Sequence, residues 1–250
     1  MKRLIAFALA LAVVFGVSFA LYKPERIEAA AQETMDDEWV GYFFVLEPFD
    51  GRRYATENGD DYDFGVPGVP GALVEMTYTV EAQGALQVEA VYHAVPGAPE
   101  LPCFGVKFET TAPVVRTCWT GLSGETYPDR CKGGVFGCHA ETPHIEPALV
   151  PQDCGLHMDT QQVCLQLANG KTLTIEQTGK AFAFSALPNT AQQIEAAQHP
   201  CELPETGRTC VTVLGAARGV GGIDSWGTDV EAPYHVNGEQ QHSVSLRILL

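Results

Sequence analysis

The sequence predicts an all-β protein, an antiparallel sandwich of two sheets preceded by one apolar N-terminal helix. Three observations support this class. After residue 38, nearly every patterned segment alternates apolar and polar residues, turn pairs separate these segments, and only one segment has the pattern of a soluble helix. With 46% apolar and 18% charged residues, the 250-residue chain has a globular composition and can bury one sizeable core.

The N-terminal segment is a candidate signal peptide or single-pass membrane anchor. A basic start precedes an apolar run over residues 4–21, whose length lies between that of a signal-peptide core and that of a membrane span. Ser18 and Ala20 favour cleavage, whereas Tyr22 and Lys23 favour a retained anchor that contacts the membrane. We therefore predict a leader over 1–22, an acidic linker over 23–38 and the sandwich over 39–250, translocated in either case with the N-terminus left in the cytoplasm.

Short strands account for most of the remaining sequence. The clearest hairpin has strands at 163–167 and 172–175 around Asn169-Gly170, a pair that supplies the positive φ angles of a tight primed turn. A second hairpin is predicted at 73–80 and 86–92 around Gln83-Gly84. Further strands are predicted at 39–49, 103–109, 114–118, 181–185, 210–214 and 244–249. The single helix begins after Thr190, with Gln193 completing a capping box, and runs to about Gln198 before Pro200.

Eight cysteines lie between residues 103 and 210, in the part predicted to be translocated. An even number in such a domain predicts up to four disulfides and an oxidising compartment. Cys201–Cys210 and Cys154–Cys164 are the most local pairs, although spacing leaves the connectivity open. A metal site at Cys131 and Cys138-His139 is the weaker alternative, since no C-x-x-C motif is present. The disulfide candidates are Cys103, Cys118, Cys131, Cys138, Cys154, Cys164, Cys201 and Cys210.

The charge balance excludes several function classes. Against 31 acidic residues the chain has 15 Lys and Arg, a net charge of −16, so it lacks the basic surface that nucleic acid or anionic lipid requires. Glu57, Asp60, Asp61 and Asp63 do not have the spacing of a calcium loop, and a solvated hairpin tip is the better interpretation. No hydrolase elbow or zinc-protease motif is present. We predict no metal and no cofactor.

One C-terminal segment is specific enough to indicate a family. Residues 219–227 read Gly-Val-Gly-Gly-Ile-Asp-Ser-Trp-Gly and closely resemble a loop near the C-terminus of family 2 β-galactosidases, in the last domain, also called the small chain. Trp119 lies where that domain has a Trp, and the similarity is good from about residue 86 to 250 and extends towards Trp39. Four further segments match in order: Tyr127-Pro128-Asp129-Arg130, Pro151-Gln152-Asp153-Cys154-Gly155, Phe182-Ala183-Phe184-Ser185-Ala186 and His199-Pro200-Cys201-Glu202-Leu203-Pro204.

The resemblance implies a galactose-mutarotase-like supersandwich that is not the catalytic domain. In the whole enzymes the two catalytic Glu residues lie on a separate barrel, for which this chain has no room, so we predict no catalytic residue here. The family's loop Trp reaches the sugar site and stacks on substrate, which makes Trp226, with Asp224 and Ser225, the carbohydrate-binding candidates. The alternatives are a Trp226 folded back onto the sandwich edge and an Asp224 that stabilises the turn.

The sequence also departs from the family. Ile223 stands where the family commonly has an acidic residue, and residues 123–126 shorten a segment before the Tyr-Pro-Asp-Arg turn. Asp129 and Arg130 are interpreted as a structural ion pair. His139, His144 and His157 are close in sequence, but no mutarotase active-site pattern fits them.

Two functions follow from these observations. The first is galactoside recognition, or completion of a β-galactosidase whose barrel is on another chain. The second is a membrane-anchored accessory subunit of a larger complex, with the sandwich used for protein–protein contacts.

Overall fold

The computed structural model describes residues 42–45, 61–65, 72–81, 85–110, 112–145, 150–152 and 154–249. The predicted leader and linker, as well as Glu57 and Asp60 of the acidic cluster, lie outside these residues. The described residues form thirteen strands: β1 Tyr42–Val45, β2 Asp61–Gly65, β3 Leu73–Val80, β4 Leu86–His93, β5 Cys103–Glu109, β6 Val114–Leu122, β7 Phe136–Glu141, β8 His157–Thr160, β9 Gln162–Leu167, β10 Thr172–Gln177, β11 Phe182–Leu187, β12 Cys210–Ala217 and β13 His242–Leu249. They also form one helix, α1 Ala191–Ala196, and 3-10 turns at Pro200–Glu202 and Ala232–Tyr234.

The strands form two sheets, and the predicted antiparallel two-sheet sandwich is confirmed. One sheet has five strands in the order β1-β5-β12-β11-β8, and the other has eight in the order β2-β3-β4-β13-β10-β9-β6-β7. Every pair of neighbouring strands is antiparallel except β1 and β5, which run parallel. The alternating pattern did not predict β7, because this edge strand has no fully buried face.

The hairpin of β9 and β10 is confirmed, but its turn differs from the predicted one. Leu167 N–H donates to the Lys171 carbonyl at 2.8 Å, which leaves a three-residue loop instead of a two-residue loop. Gly170 has a φ of +83°. Asn169 does not have a positive φ, because Asp159 is the one non-glycine residue with positive φ in the described part of the chain. Only the glycine is therefore left-handed, and Asn169 acts through its side chain, which accepts from Lys171 N–H at 3.1 Å.

Helix α1 begins as predicted and ends earlier. The Thr190 hydroxyl accepts from Gln193 N–H at 3.2 Å, and the Gln193 side chain accepts from Thr190 N–H at 3.0 Å, which completes the capping box. The helix ends at Ala196, before the predicted end near Gln198.

The core lies between the two sheets and contains a buried histidine. His157 on β8 is 2% exposed and packs between Trp119 of the eight-stranded sheet and Phe184 of the five-stranded sheet, with ring centroids 4.2 and 4.9 Å away. Its ring nitrogens contact the Gly124 carbonyl at 2.8 Å and the Glu141 carboxylate at 3.0 Å. His157 is thus a core residue with both nitrogens hydrogen-bonded, which gives it a structural role.

The cysteines correct one prediction. All eight lie in the described residues, and no disulfide bond joins any two of them, so the predicted bridges are wrong. Cys154 precedes β8 in the five-stranded sheet, whereas Cys164 lies on β9 of the other sheet. Cys201 lies in an exposed 3-10 turn, whereas Cys210 is buried at the start of β12. Proximity in sequence therefore does not bring these thiols together.

Within the described ranges, no helix is both long enough and apolar enough to cross a membrane. In the same part of the chain, no three His, Cys, Asp or Glu side chains are grouped so that they could hold a metal ion.

Candidate functional site

The candidate site is the loop of residues 219–230, which follows β12 and is called here the Trp226 loop. Its indole points into solvent, since Trp226 is 91% exposed. Val220 and Ile223 on the same loop are 52% and 53% exposed, and Ser225 is also exposed. The alternative of a Trp226 folded against the sandwich edge is therefore not what the structure shows. The loop presents three large apolar side chains on the surface.

Glycines give this loop its path. Gly221 and Gly222 have φ values of +68° and +67°, a pair of left-handed residues that side chains would strain. Gly219 is required for a different reason, because a Cβ there would lie 2.8 Å from Cγ of Asp129. The glycine-rich sequence thus allows the loop to turn sharply and to lie against the Tyr127–Arg130 turn.

Asp129 holds the start of the loop. Its two carboxylate oxygens accept from the N–H groups of Val220 at 2.9 Å and Gly221 at 2.8 Å, while Arg130 donates to the Gly221 carbonyl. Partial burial acts to raise the pKa of Asp129, but these N–H donors outweigh it and hold the pKa below its ordinary value. Asp129 and Arg130, interpreted from sequence as an ion pair, therefore bind the backbone of the Trp226 loop. Two of the segments that carry the family resemblance meet at this contact.

Asp224 holds the tip of the loop. One carboxylate oxygen accepts from the N–H groups of Trp226 at 2.9 Å and Thr228 at 3.3 Å, and the other accepts from the Thr228 hydroxyl at 2.6 Å. The Thr228 hydroxyl and these N–H groups lower the pKa of Asp224, so the carboxylate is ionised near neutral pH. Its oxygens are engaged within the loop, and this geometry supports the turn-stabilising alternative.

A cluster of charges holds the base of the loop. The Arg218 guanidinium binds Glu100 at 2.7 Å and also binds Asp229, and His235 Nδ1 lies 2.8 Å from the other Glu100 oxygen. His235 Nε2 lies 3.0 Å from the Val230 carbonyl, so both ring nitrogens face acceptors. No sequence pattern predicted this cluster. Glu100 and Arg218 are 118 positions apart, and no motif connects them.

The sequence is similar to those of known proteins over most of its length. Residues 49–248 match the family model described as the beta galactosidase small chain. The chain belongs to the β-galactosidase small-chain family. It is 42% identical over 211 residues to the beta-galactosidase small subunit of Latilactobacillus sakei, an alignment that covers 80% of this chain and 66% of that subunit.

Two larger relatives show how much of a whole enzyme the small-chain domain represents. The chain is 33% identical over 186 residues to the beta-galactosidase of Streptococcus thermophilus, which covers 73% of this chain and 18% of the relative. It is 33% identical over 174 residues to the beta-galactosidase of Halalkalibacterium halodurans, which covers 67% of this chain and 17% of the relative. The small-chain domain thus spans about two thirds of the Latilactobacillus subunit and less than a fifth of these two enzymes.

The predicted localisation is wrong. Export into an oxidising compartment was inferred from the leader and from disulfides among the eight cysteines. The cysteines form no disulfide, and the similar proteins are β-galactosidase small subunits and β-galactosidases. Even numbers of cysteines predict disulfides only when the compartment is already known to be oxidising, and here the compartment was itself part of the inference.

The base cluster predicts a pH dependence of stability for the small-chain domain. The Glu100 carboxylate and the Val230 carbonyl raise the pKa of His235 above its ordinary value of 6.5. The protonated ring therefore stabilises the fold fully below about pH 6.5, and this stabilisation is lost as pH rises through the raised folded pKa. Glu100 and Asp229, whose pKa values are lowered, stay ionised throughout this range.

We expect His235→Gln to lower the melting temperature more at about pH 5.5 than at about pH 9. Thermal unfolding of both proteins across this range measures the difference. His199→Gln, at an exposed position outside the cluster, is the matched control. A destabilisation by His235→Gln that is equal at both pH values would contradict the prediction.

Proposed function

We propose that this small-chain domain completes a β-galactosidase whose catalytic barrel is on another chain, and that Trp226 forms part of the galactoside site. The observation that carries the proposal is a Trp that is 91% exposed on a loop held at both its start and its tip. A large aromatic side chain in water is unfavourable, and a fixed backbone around it is typical of a recognition surface. Apolar sugar faces pack well on an indole ring.

The partner is inferred from the relatives. The Latilactobacillus protein is named a small subunit, and in the Streptococcus enzyme the matching region occupies 18% of a single chain. Glycoside hydrolysis requires a pair of carboxylates around the scissile bond. We infer that a large chain carrying those carboxylates is the partner, and that galactoside binds where the two chains meet.

Ile223 and Val220 favour a second contribution, protein–protein contact. Both are more than half exposed, and the carboxylate of Asp224, which follows Ile223, is already engaged within the loop. Apolar side chains on a rigid loop bury well against another protein surface. We therefore propose that Trp226 contacts sugar, whereas Val220 and Ile223 contact the large chain.

Reconstitution tests the proposal. The complex is purified from the source cells, and the two chains are separated and then recombined. Hydrolysis of o-nitrophenyl β-galactoside is measured for each chain and for the mixture. We expect little activity from either chain alone and recovery on mixing. A large chain that is equally active without the small-chain domain would contradict completion of the enzyme.

A further inference from the structure

The exposed part of the Trp226 loop is shaped by bonds within the loop itself. Residues 222–229 are all exposed, and the three hydrogen bonds that Asp224 accepts come from Trp226 and Thr228, at most four positions away. Such local bonds fix the conformation of the loop tip. They do not fix where the tip lies relative to the sandwich, because none of them joins the tip to another element.

The position of the tip is therefore set at the two ends of the loop, where Gly221 and Val230 are buried. In the part of the chain that the structure describes, Asp129 and Arg130 are the only residues outside 218–235 that hydrogen-bond to the loop. The other bonds to the loop come from within that range. This pair is thus the direct hydrogen-bonded link between the loop and a distant part of the chain.

The turn that carries Asp129 is itself fixed to the sandwich. Thr126, which begins this turn, is 3% exposed. Its N–H donates to the Leu156 carbonyl at 2.7 Å, and its hydroxyl accepts from Met158 N–H at 2.9 Å. Met158 lies on β8 of the five-stranded sheet, and Leu156 directly precedes that strand. Asp129 is therefore held at a fixed place relative to this sheet.

The contact requires a carboxylate on one side and a glycine on the other. The two oxygens of Asp129 accept from two successive N–H groups, those of Val220 and Gly221. A carboxylate only accepts hydrogen bonds, whereas an amide at this position would turn a donor towards one of the two N–H groups. A side chain at position 219 would also collide with Cγ of Asp129, 2.8 Å from the Cβ.

We propose that Asp129 is a positioning residue of the galactoside site, which sets where the Trp226 ring lies when galactoside binds to the assembled enzyme. The inference rests on the proposed function, in which Trp226 contacts the sugar. A stacking ring is effective only at the correct place, and a displacement of about 1 Å can cost about a hundredfold in rate. Asp129 acts through the loop backbone and needs no contact with the sugar.

Nuclear magnetic relaxation of the full chain tests this hold directly. In Asp129→Asn one N–H group of the loop loses its acceptor, so we expect the order parameter of the Trp226 backbone N–H to fall from about 0.85 to below about 0.6. Asp159→Asn makes the same change at an exposed position on β8, where Asn tolerates the positive φ, and should leave the order parameter unchanged. An order parameter that is also unchanged in Asp129→Asn would overturn the proposal.

A double-mutant cycle in the reconstituted enzyme tests the link to activity. With the large chain in excess, we expect Asp129→Asn alone to lower kcat/KM for o-nitrophenyl β-galactoside about tenfold, and less than about twofold further in the Trp226→Ala background. Equal factors in both backgrounds would overturn the proposal, because Asp129 would then act independently of Trp226. An unchanged kcat/KM for Trp226→Ala alone would instead contradict the proposed function, and the relaxation measurement would still decide whether Asp129 holds the loop.

A second variant approaches the same contact from the loop side and is used if Asp129→Asn does not fold. Gly219→Ala places a methyl group against the Asp129 carboxylate and is expected to give the same two losses. Gly179→Ala is the matched control, since nothing lies within 4 Å of the added Cβ. A Gly219→Ala variant that behaves like this control in both measurements would also overturn the proposal.

Discussion

Replacement of Trp226 by alanine is expected to lower kcat/KM of the reconstituted galactosidase by about tenfold to a hundredfold, the range for loss of a buried aromatic contact at a binding surface. The melting temperature of the isolated domain is expected to stay unchanged, because the indole is 91% exposed and contributes little to folding. Steady-state kinetics on the recombined complex, with thermal unfolding of the free domain, measures both quantities.

A second substitution of Trp226, which keeps an aromatic ring, tests whether stacking on the sugar explains the effect. Trp226→Phe retains an aromatic face and should retain more activity than Trp226→Ala. Val115→Ala removes an apolar side chain that is 50% exposed on β6, away from the loop, and should leave the kinetics unchanged. If Trp226→Ala gave an unchanged kcat/KM, Trp226 would have no place in the galactoside site. If it impaired binding of the large chain but not kcat/KM of the assembled complex, Trp226 would be a protein contact.

Replacement of Phe184 by alanine is expected to lower the free energy of unfolding by about 3–5 kcal/mol, the largest effect on stability among the changes considered. Phe184 is fully buried on β11, where it stacks on His157 and contacts Trp119 edge-on at a centroid distance of 5.9 Å. Its removal leaves a cavity between the two sheets, and the packing of His157 is lost with it.

Denaturant unfolding of the purified domain measures this loss. Phe136→Ala is the matched control, since it removes the same side chain from the edge strand β7, where Phe136 is 52% exposed. We expect the control to change stability by at most about 0.5 kcal/mol. Similar losses for the two variants would show that the junction of Phe184, His157 and Trp119 is not a core contact.

Local sequence patterns predicted the elements that depend on neighbouring residues. The period-two segments gave β3, β4, β9 and β10 nearly to the residue, because a strand with one buried face must alternate. The Thr190–Gln193 capping box placed the start of α1, since both hydrogen bonds join residues three positions apart. Three strands were missed. Asp61 and Asp63, expected at a hairpin tip, lie on β2 and pair with β3. The edge strand β7 has no fully buried face, and β8 has only four residues.

The candidate site was predicted in part. The resemblance directed attention to Trp226 and to the Tyr127–Arg130 turn, and the structure places both at one surface. The sequence did not show that Asp129 and Arg130 also bind the backbone of the Trp226 loop, because contacts with residues about 90 positions away leave no local pattern. The even number of cysteines likewise suggested disulfide bonds, but no disulfide joins any two of the eight in the structure.

The sequence by itself determined the β-sandwich class, the helix start, the β9–β10 hairpin and the resemblance to the β-galactosidase small chain. These follow from the period of side chains along a strand, from turn chemistry and from a motif that is continuous in the chain. Only the tertiary structure decided that Asp129 holds Val220, 91 positions away, and that Thr126 binds Met158 on β8. Such contacts depend on the register between distant strands, and that register is fixed by packing of the whole core.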